Sequence, residues 1–260
     1  MAEPVPFRAK GFMAKNRPWA AALTLIAIVA LWQIGATLGW FTTIFLSTPA
    51  GIARALHGLA SSGELQRHLA ASLRRLAAGW LLGTAAGLAI GLAIGLFTTL
   101  RSPGMAVVSA LFPIPKIALV PLFIIWFGIG EGSKFFTVAF GVFFPTVIST
   151  VAAVDAVPRN LIRMAQSFGL GWLAIVAKII LPGALPALFA AMRITSATAI
   201  ILLVAAEMIG ADRGIGAFVL QAGNLYDIDA LMAGIAVLSA LGLGVSWLIG
   251  LAERVFLRWR

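Results

Sequence analysis

Six stretches of this chain are each apolar over about twenty residues, the length that carries an α-helix through the hydrocarbon of a bilayer. They run Trp19–Trp40, Ala77–Phe97, Gly104–Phe127, Phe135–Val154, Pro186–Ile209 and Ala230–Leu251. Inside a bilayer each backbone N–H and C=O must find its partner within the chain, so such runs fold as helices. Composition excludes the alternatives. With 61% hydrophobic and 11% charged residues, a soluble domain would lack the polar surface to cover itself, and disorder requires low hydrophobicity. The predicted fold is all-α: a polytopic membrane helical bundle of six spans. The first apolar run is longer than a cleavable signal and no small-x-small site follows it, so it reads as a retained span. The absence of cysteine excludes disulfides, thiolate metal sites and cysteine nucleophiles.

Charge sets the expected orientation. With the N-terminus inside, eleven Lys and Arg fall on the inner side and six on the outer, while Lys116 and Arg193 lie within spans. Basic residues gather on the cytoplasmic side of membrane proteins, so both termini are predicted to be cytoplasmic. The net charge of +10 has this explanation, and no basic stripe with interleaved aromatics argues for nucleic acid. The chain divides into a cytoplasmic tail at 1–18, a first span at 19–40 and a core at 41–260. The outer connections are then 41–75, 128–134 and 210–229, and the longest inner one is about 155–185. Arg74 and Arg75 fall in the first of these outer segments.

Three spans carry unusual residues. Gly79, Gly83, Gly87, Gly91 and Gly95 recur at every fourth position, which clears a groove along one helix face for close approach of another backbone. Pro113, Pro115 and Pro121 interrupt the third span around Lys116. Prolines so placed break a helix, and an ionisable residue at membrane depth is a candidate for a solute path. The fifth span carries Arg193 and Glu207, fourteen residues apart and so on a similar face, with Thr195 and Ser196 as further path candidates. The two histidines, His57 and His68, stand in an outer segment without a carboxylate cluster. The chain holds no phosphate loop, no H-E-x-x-H, no G-x-S-x-G and no paired intramembrane carboxylates, so neither catalysis nor a resident metal is expected.

The inner connection reads VDAVPRNLIRMAQSFGLGWLAIVAKIILPGALP from Val154. Pro158 suits a helix start and Gly169 a C-cap. Leu161, Ala165 and Phe168 share one side of this first short helix, with Arg159, Arg163 and Gln166 elsewhere on it. A second is predicted from Trp172 to Ile180, ended by Pro182. Two such apolar helices on the aqueous side need a cover, either the protein's own spans or a cytoplasmic partner.

In this loop the sequence resembles the permease subunit of bacterial binding-protein-dependent ABC importers, whose inner loop has E-A-A, three residues, Gly, nine residues, then I-x-L-P. Here Arg163-Met164-Ala165 takes the E-A-A place, and Gly169, Ile179, Leu181 and Pro182 follow at matching spacing. Arg163 replaces the family's Glu and Met164 its first Ala. Ser72-Leu73-Arg74-Arg75, Pro113-Ile114-Pro115-Lys116, the run Pro121–Gly130 and Ala206-Glu207-Met208-Ile209-Gly210 look like the nitrate/sulfonate/taurine branch. The resemblance implies a type I importer core of five spans after the N-terminal helix, in the bacterial inner membrane. It also implies a second permease copy, two cytoplasmic ATPase subunits carrying ATP and Mg, and a periplasmic substrate-binding protein. The cargo implied is a small anionic or polar solute: taurine, another sulfonate, nitrate or bicarbonate, with a pyrimidine vitamin precursor, riboflavin or an aromatic acid as further members of the range. A stand-alone channel, a secondary carrier and a membrane-embedded enzyme are the readings from other classes.

Overall fold

The computed structural model describes residues 18–40, 42 and 45–258, and among these the regular elements are all helices, without strands. The tail expected at 1–18 lies, except for Pro18, outside the described residues. Helix α1, Pro18–Thr37, is exposed along almost its whole length, as a lipid-facing span would be. It is tied to the bundle near its C-terminal end, where Gln33 Oε1 accepts from the Ala50 N–H at 3.1 Å. Helix α2, Pro49–Ser61, starts from a Thr48 cap and lies against the N-terminal end of the last helix, where Ser47 Oγ donates to Asp229 Oδ1 at 2.5 Å.

Helix α3 is one continuous element from Glu64 to Leu96. The sequence alone places residues 41–75 in an outer connection ahead of a second span that starts at Ala77. No breaker stands between them, so the helix runs on, and Arg75 lies inside the bundle instead of in an outer loop. Helix α4, Thr98–Leu111, and helix α5, Val120–Phe127, are joined through a 3₁₀ turn at Lys116–Leu119 and bend by 81°. Pro113 and Pro115 account for the break, because neither can donate to the preceding turn. Pro121 opens α5, where the missing N–H costs nothing.

Helix α6, Glu131–Asp155, is the central element. It packs along α3 through the predicted glycine groove. A methyl group placed on Gly79, Gly87 or Gly91 would come within 2.7, 2.7 and 2.5 Å of Val138, Thr146 and Thr150 respectively, and one on Gly83 would collide with the Ala139 backbone. The partners of Gly79, Gly87, Gly91 and Gly95 each lie 59 positions later in the chain. A constant offset means that α3 and α6 run parallel in register. Residues 97–130 must therefore return the chain across the thickness that α3 has just traversed, so the bent α4–α5 pair makes the sixth pass beside the five unbroken spans.

Helix α7, Arg159–Ser167, and the short α8, Trp172–Ile175, follow. The second loop helix does not stop at Pro182 as expected. It passes through a π-helical turn at Val176–Ile180 into α9, Leu181–Gly210. The Leu181 N–H reaches back to the Val176 carbonyl across this wide turn, and Pro182 enters in the first turn of α9, where its lost donor is tolerated. The segment 210–229, read as an outer loop, instead contains α10, Ile215–Asn224, packed on α9 and α11. Helix α11, Ile228–Phe256, closes the bundle.

A seam without side chains has no slack. Gly87→Leu is expected to lower stability by about 1–3 kcal/mol or more through overpacking, read as thermal unfolding of the purified protein. Gly58→Ala, on α2 with nothing within 4 Å of the added methyl, should be neutral or stabilising by up to about 1 kcal/mol. Equal responses would contradict the seam.

Candidate functional site

The two ends of the bundle are built differently. At one end, three helices contribute to a buried ion-pair network. Arg75 is only 4% exposed at its side chain. Its Nε and one terminal nitrogen donate to both oxygens of Glu131, at 2.8 and 2.6 Å, and the other terminal nitrogen donates to Glu207 Oε1 at 2.8 Å and to the Arg213 carbonyl at 2.5 Å. Glu207 is sealed from solvent. Its carboxylate accepts from Ser72 Oγ at 2.8 and 2.9 Å and from the Gly216 N–H at 2.9 Å, and Ser72 Oγ accepts in turn from the Ile215 N–H. Gly214, at φ +138°, has no room for a side chain beside that carboxylate. His68 Nδ1 lies 3.0–3.1 Å from the Gly214 carbonyl and N–H. Buried charges persist only when paired and fully hydrogen-bonded, and each group here is.

The network joins Ser72, Arg75, Glu131 and Glu207, separated by up to 135 positions in the chain. Sequence reasoning singled out Glu207, and it quoted the Ser72–Arg75 and Ala206–Gly210 stretches without connecting them. It gave Glu131, in the Gly130–Lys134 stretch that lacks a phosphate loop's spacing, no role, and took His68 to stand alone. Two like-sized motifs carrying opposite charges on different spans are the signal that was available.

Above this network lies a cleft of about 790 Å³ between the N-terminal half of α3, the 129–134 segment and the 210–213 segment. Arg67, Arg74 and Arg213 stand exposed around it, Arg75 and Lys134 line its buried side, and Glu131 and Asp212 are its acidic members. The Lys134 ammonium donates to the Ile129 carbonyl at 2.5 Å and the Gly130 carbonyl at 3.1 Å.

At the opposite end, α7 is fixed by its C-terminus. Gly169 has φ +73°, and the Leu170 N–H bonds the Ala165 carbonyl while the Gly169 N–H bonds that of Gln166. This is a Schellman motif, and its left-handed position favours glycine. Ala165 is buried in a cluster with Ala153, Val157, Ile175, Ile180 and Leu188, against which Ile162, Leu170 and Ile179 also pack. The predicted common face of α7 is therefore divided: Ala165 turns inward, while Leu161, Met164 and Phe168 are 41%, 53% and 77% exposed. Arg159, Arg163 and Gln166 are exposed, and Leu181 and Pro182 are half-buried in the first turn of α9.

The other path candidates are spread out. Lys116 is half-buried at the α4–α5 break; its ammonium donates to the Phe112 carbonyl and lies 4.8 Å from the Phe112 ring centre and 5.7 Å from that of Phe144. Arg193 pairs with Glu253 on α11. Thr195 and Ser196 are buried and bond back to the Met192 and Arg193 carbonyls of their own helix. Arg193 thus lies near the middle of α9 and Glu207 in its last turn, each tied to a different neighbour.

Arg75→Ala would strand two carboxylates, one of them fully buried, and is expected to cost about 3–5 kcal/mol. Arg74→Ala, whose side chain is 71% exposed and 3.6 Å from Glu131, should cost no more than about 1 kcal/mol. Thermal unfolding of the two variants side by side checks the contrast.

Comparison with known proteins agrees with this architecture. An Escherichia coli (strain K12) protein named for aliphatic sulfonates transport, as its permease, is 37% identical over 100% of this chain and 96% of its own length. The taurine transport system permease protein of the same organism is 35% identical over 84% of this chain and 81% of its own. The riboflavin transport system permease protein of Chloroflexus aurantiacus is 35% identical over 91% and 88%. An inward-facing structure of the MetNI methionine ABC transporter shares the fold, with a TM-score of 0.66 at 21% identity over 76% of this chain and 98% of the matched one. Residues 83–257 match the family described as binding-protein-dependent transport system inner membrane component, and the chain belongs to that family: it is a multi-pass inner-membrane permease.

Proposed function

We propose that this permease works as one of two identical copies, that two ATPase subunits carrying ATP and Mg dock at the α7 end, and that a substrate-binding protein loads the opposite end with a small sulfonate for import. The observation that carries the docking is α7 itself. Leu161, Met164 and Phe168 present apolar surface outward, while a glycine cap and a buried Ala165 hold the helix rigidly on the bundle. A short helix held this firmly can transmit a push from a bound motor into α6 and α9, which flank it in the chain. The charge count, eleven Lys and Arg against six, turns this end toward the cytoplasm. Arg163, where the family has Glu, gives the docking surface a positive group.

The sulfonate class is supported by the names of two relatives and by cationic groups at two levels of the protein. Lys116, at the break in the third pass, has the charge and the partial exposure to meet an anion on its way through. Arg193 and Glu207 instead tie α9 to α11 and to α3, Thr195 accepts from Trp80 Nε1 on α3 at 3.4 Å, and Ser196 bonds within α9. The relative named for riboflavin supports a second reading in which the cargo is a riboflavin-like aromatic.

Two experiments test this. In vesicles holding the permease with its ATPase, Phe168→Asp is expected to cut solute-stimulated ATP hydrolysis at least about ten-fold while the bundle still inserts and unfolds at the same temperature; unchanged coupling would remove the docking role. In competition uptake, taurine or an alkanesulfonate should displace labelled substrate and riboflavin should not. Displacement by riboflavin alone would favour the second reading.

A further inference from the structure

The cleft above the Arg75 network is unaccounted for by transport coupling or by packing. We propose that it is an entry subsite for a small oxyanion, the headgroup of the solute, on the face opposite α7. This deepens the sulfonate reading and rests on it for the identity of the cargo, though not for the binding itself. Three observations point the same way. The cleft is concave and, at about 790 Å³, has room for a small organic anion with water. Its charge is unbalanced, with five Lys and Arg against Glu131 and Asp212 on its walls. Arg75 is shared between Glu131 and Glu207, Arg67 pairs with Glu64 and Arg74 lies beside Glu131. With Glu64 and Glu207 counted, the five cations still outnumber the four carboxylates, and the ones outside any ion pair among the described residues are Arg213 and Lys134. Lys134 is 5% exposed and uses two of its three N–H donors on backbone carbonyls, so one donor of a buried cation remains for a ligand.

Concavity favours a small ligand over an acidic protein surface. A docking patch for a protein spreads its charge over a convex or flat face, whereas here the buried cations line the inner wall and the exposed ones surround it. Long arginine side chains around a preformed cationic wall suit a planar or tetrahedral oxyanion, which accepts several N–H bonds at once. Such a site raises the local concentration of anions at the mouth and loses strength with salt.

The test is calorimetric titration of the purified full-length chain in lipid nanodiscs with sodium methanesulfonate at low ionic strength, with choline as the cationic control. Saturable binding is expected, with a dissociation constant on the order of 1 mM or tighter. Arg74→Gln and Arg213→Gln, at exposed positions that leave the buried network intact, should each weaken it by about five-fold, and added salt should do the same. No saturable binding by the native chain, or equal binding by native chain and both variants, overturns the proposal. So does a flat titration accompanied by loss of binding-protein capture in the variants, which would assign the cleft to a protein partner. If the variants weaken methanesulfonate binding but vesicles carry no sulfonate, the cargo reading fails and the cleft stands. If vesicles carry sulfonate with unchanged apparent affinity in both variants and the titrations are equal, the cleft fails alone.

Discussion

The parallel seam between α3 and α6 sets the geometry of everything else. Lipid offers helices no hydrophobic reason to associate, so association depends on close packing of surfaces that fit. Glycine at every fourth position of α3 lets its backbone reach the Phe135, Ala139, Phe143 and Val147 carbonyl positions of α6, and the 59-residue register follows from that fit. Once the register is set, both ends are set. Arg75 meets Glu131 at one, and Leu92 and Leu96 meet the cluster under α7 at the other. A shift of a single residue along the seam would drive the Val138, Thr146 and Thr150 side chains into helix backbone and pull the Arg75 guanidinium from two carboxylates.

The Arg75 network is the polar counterpart of that seam. Taking one guanidinium and a sealed carboxylate out of water costs several kcal/mol per ion before any pairing, and the pairing is repaid only by complete geometry. Completeness is what the chain supplies: a bidentate arm to Glu131, a second arm to Glu207, and Ser72, Gly216 and Ile215 filling the remaining positions. The result specifies one arrangement of α3, α6, α9 and α10. Replacing Arg75 by an apolar residue leaves both carboxylates without their cation, one of them sealed from solvent, so the network resists loss of its central member more than it adds net stability.

Much of this was legible beforehand, for identifiable reasons. The spans were visible because lipid imposes length and apolarity on a continuous stretch, the seam because a helix turns spacing of four into a face, and the break because proline acts on its own neighbours. Gly169 was visible for the same local reason. Arg75 was misplaced because a basic pair next to an apolar run looks like a membrane boundary; only the partner at Glu207, 132 positions later, explains its burial. Pro182 misled because the stop signal assumes an α-turn, and the π-turn at Val176–Ile180 absorbs the proline. Helix α10 was missed because its ten residues are too few to register as a span. Only for Arg75 did a distant contact decide the outcome; at Pro182 and α10 local backbone geometry and helix length did.

These constraints also say where the molecule can yield. The seam and the network are each closed to small adjustments, the first by backbone contact and the second by the cost of exposing unpaired charge to a low dielectric. Rearrangement between two packings must therefore be absorbed where hydrogen bonding is already irregular. The widest such irregularities among the described residues are the 112–115 break between α4 and the 3₁₀ turn and the π-turn that joins α8 to α9, while single prolines also interrupt the ladders of α4, α6 and α9 at Pro103, Pro145 and Pro186. The first adjoins Lys116, at the midpoint of the returning pass. The second adjoins α7, held by Ala165 and the Gly169 cap. A force applied to α7 thus meets a rigid α6 on one side and a compliant turn on the other, and the relative motion it can produce is that of α9 and the broken pair against a fixed α3–α6 frame.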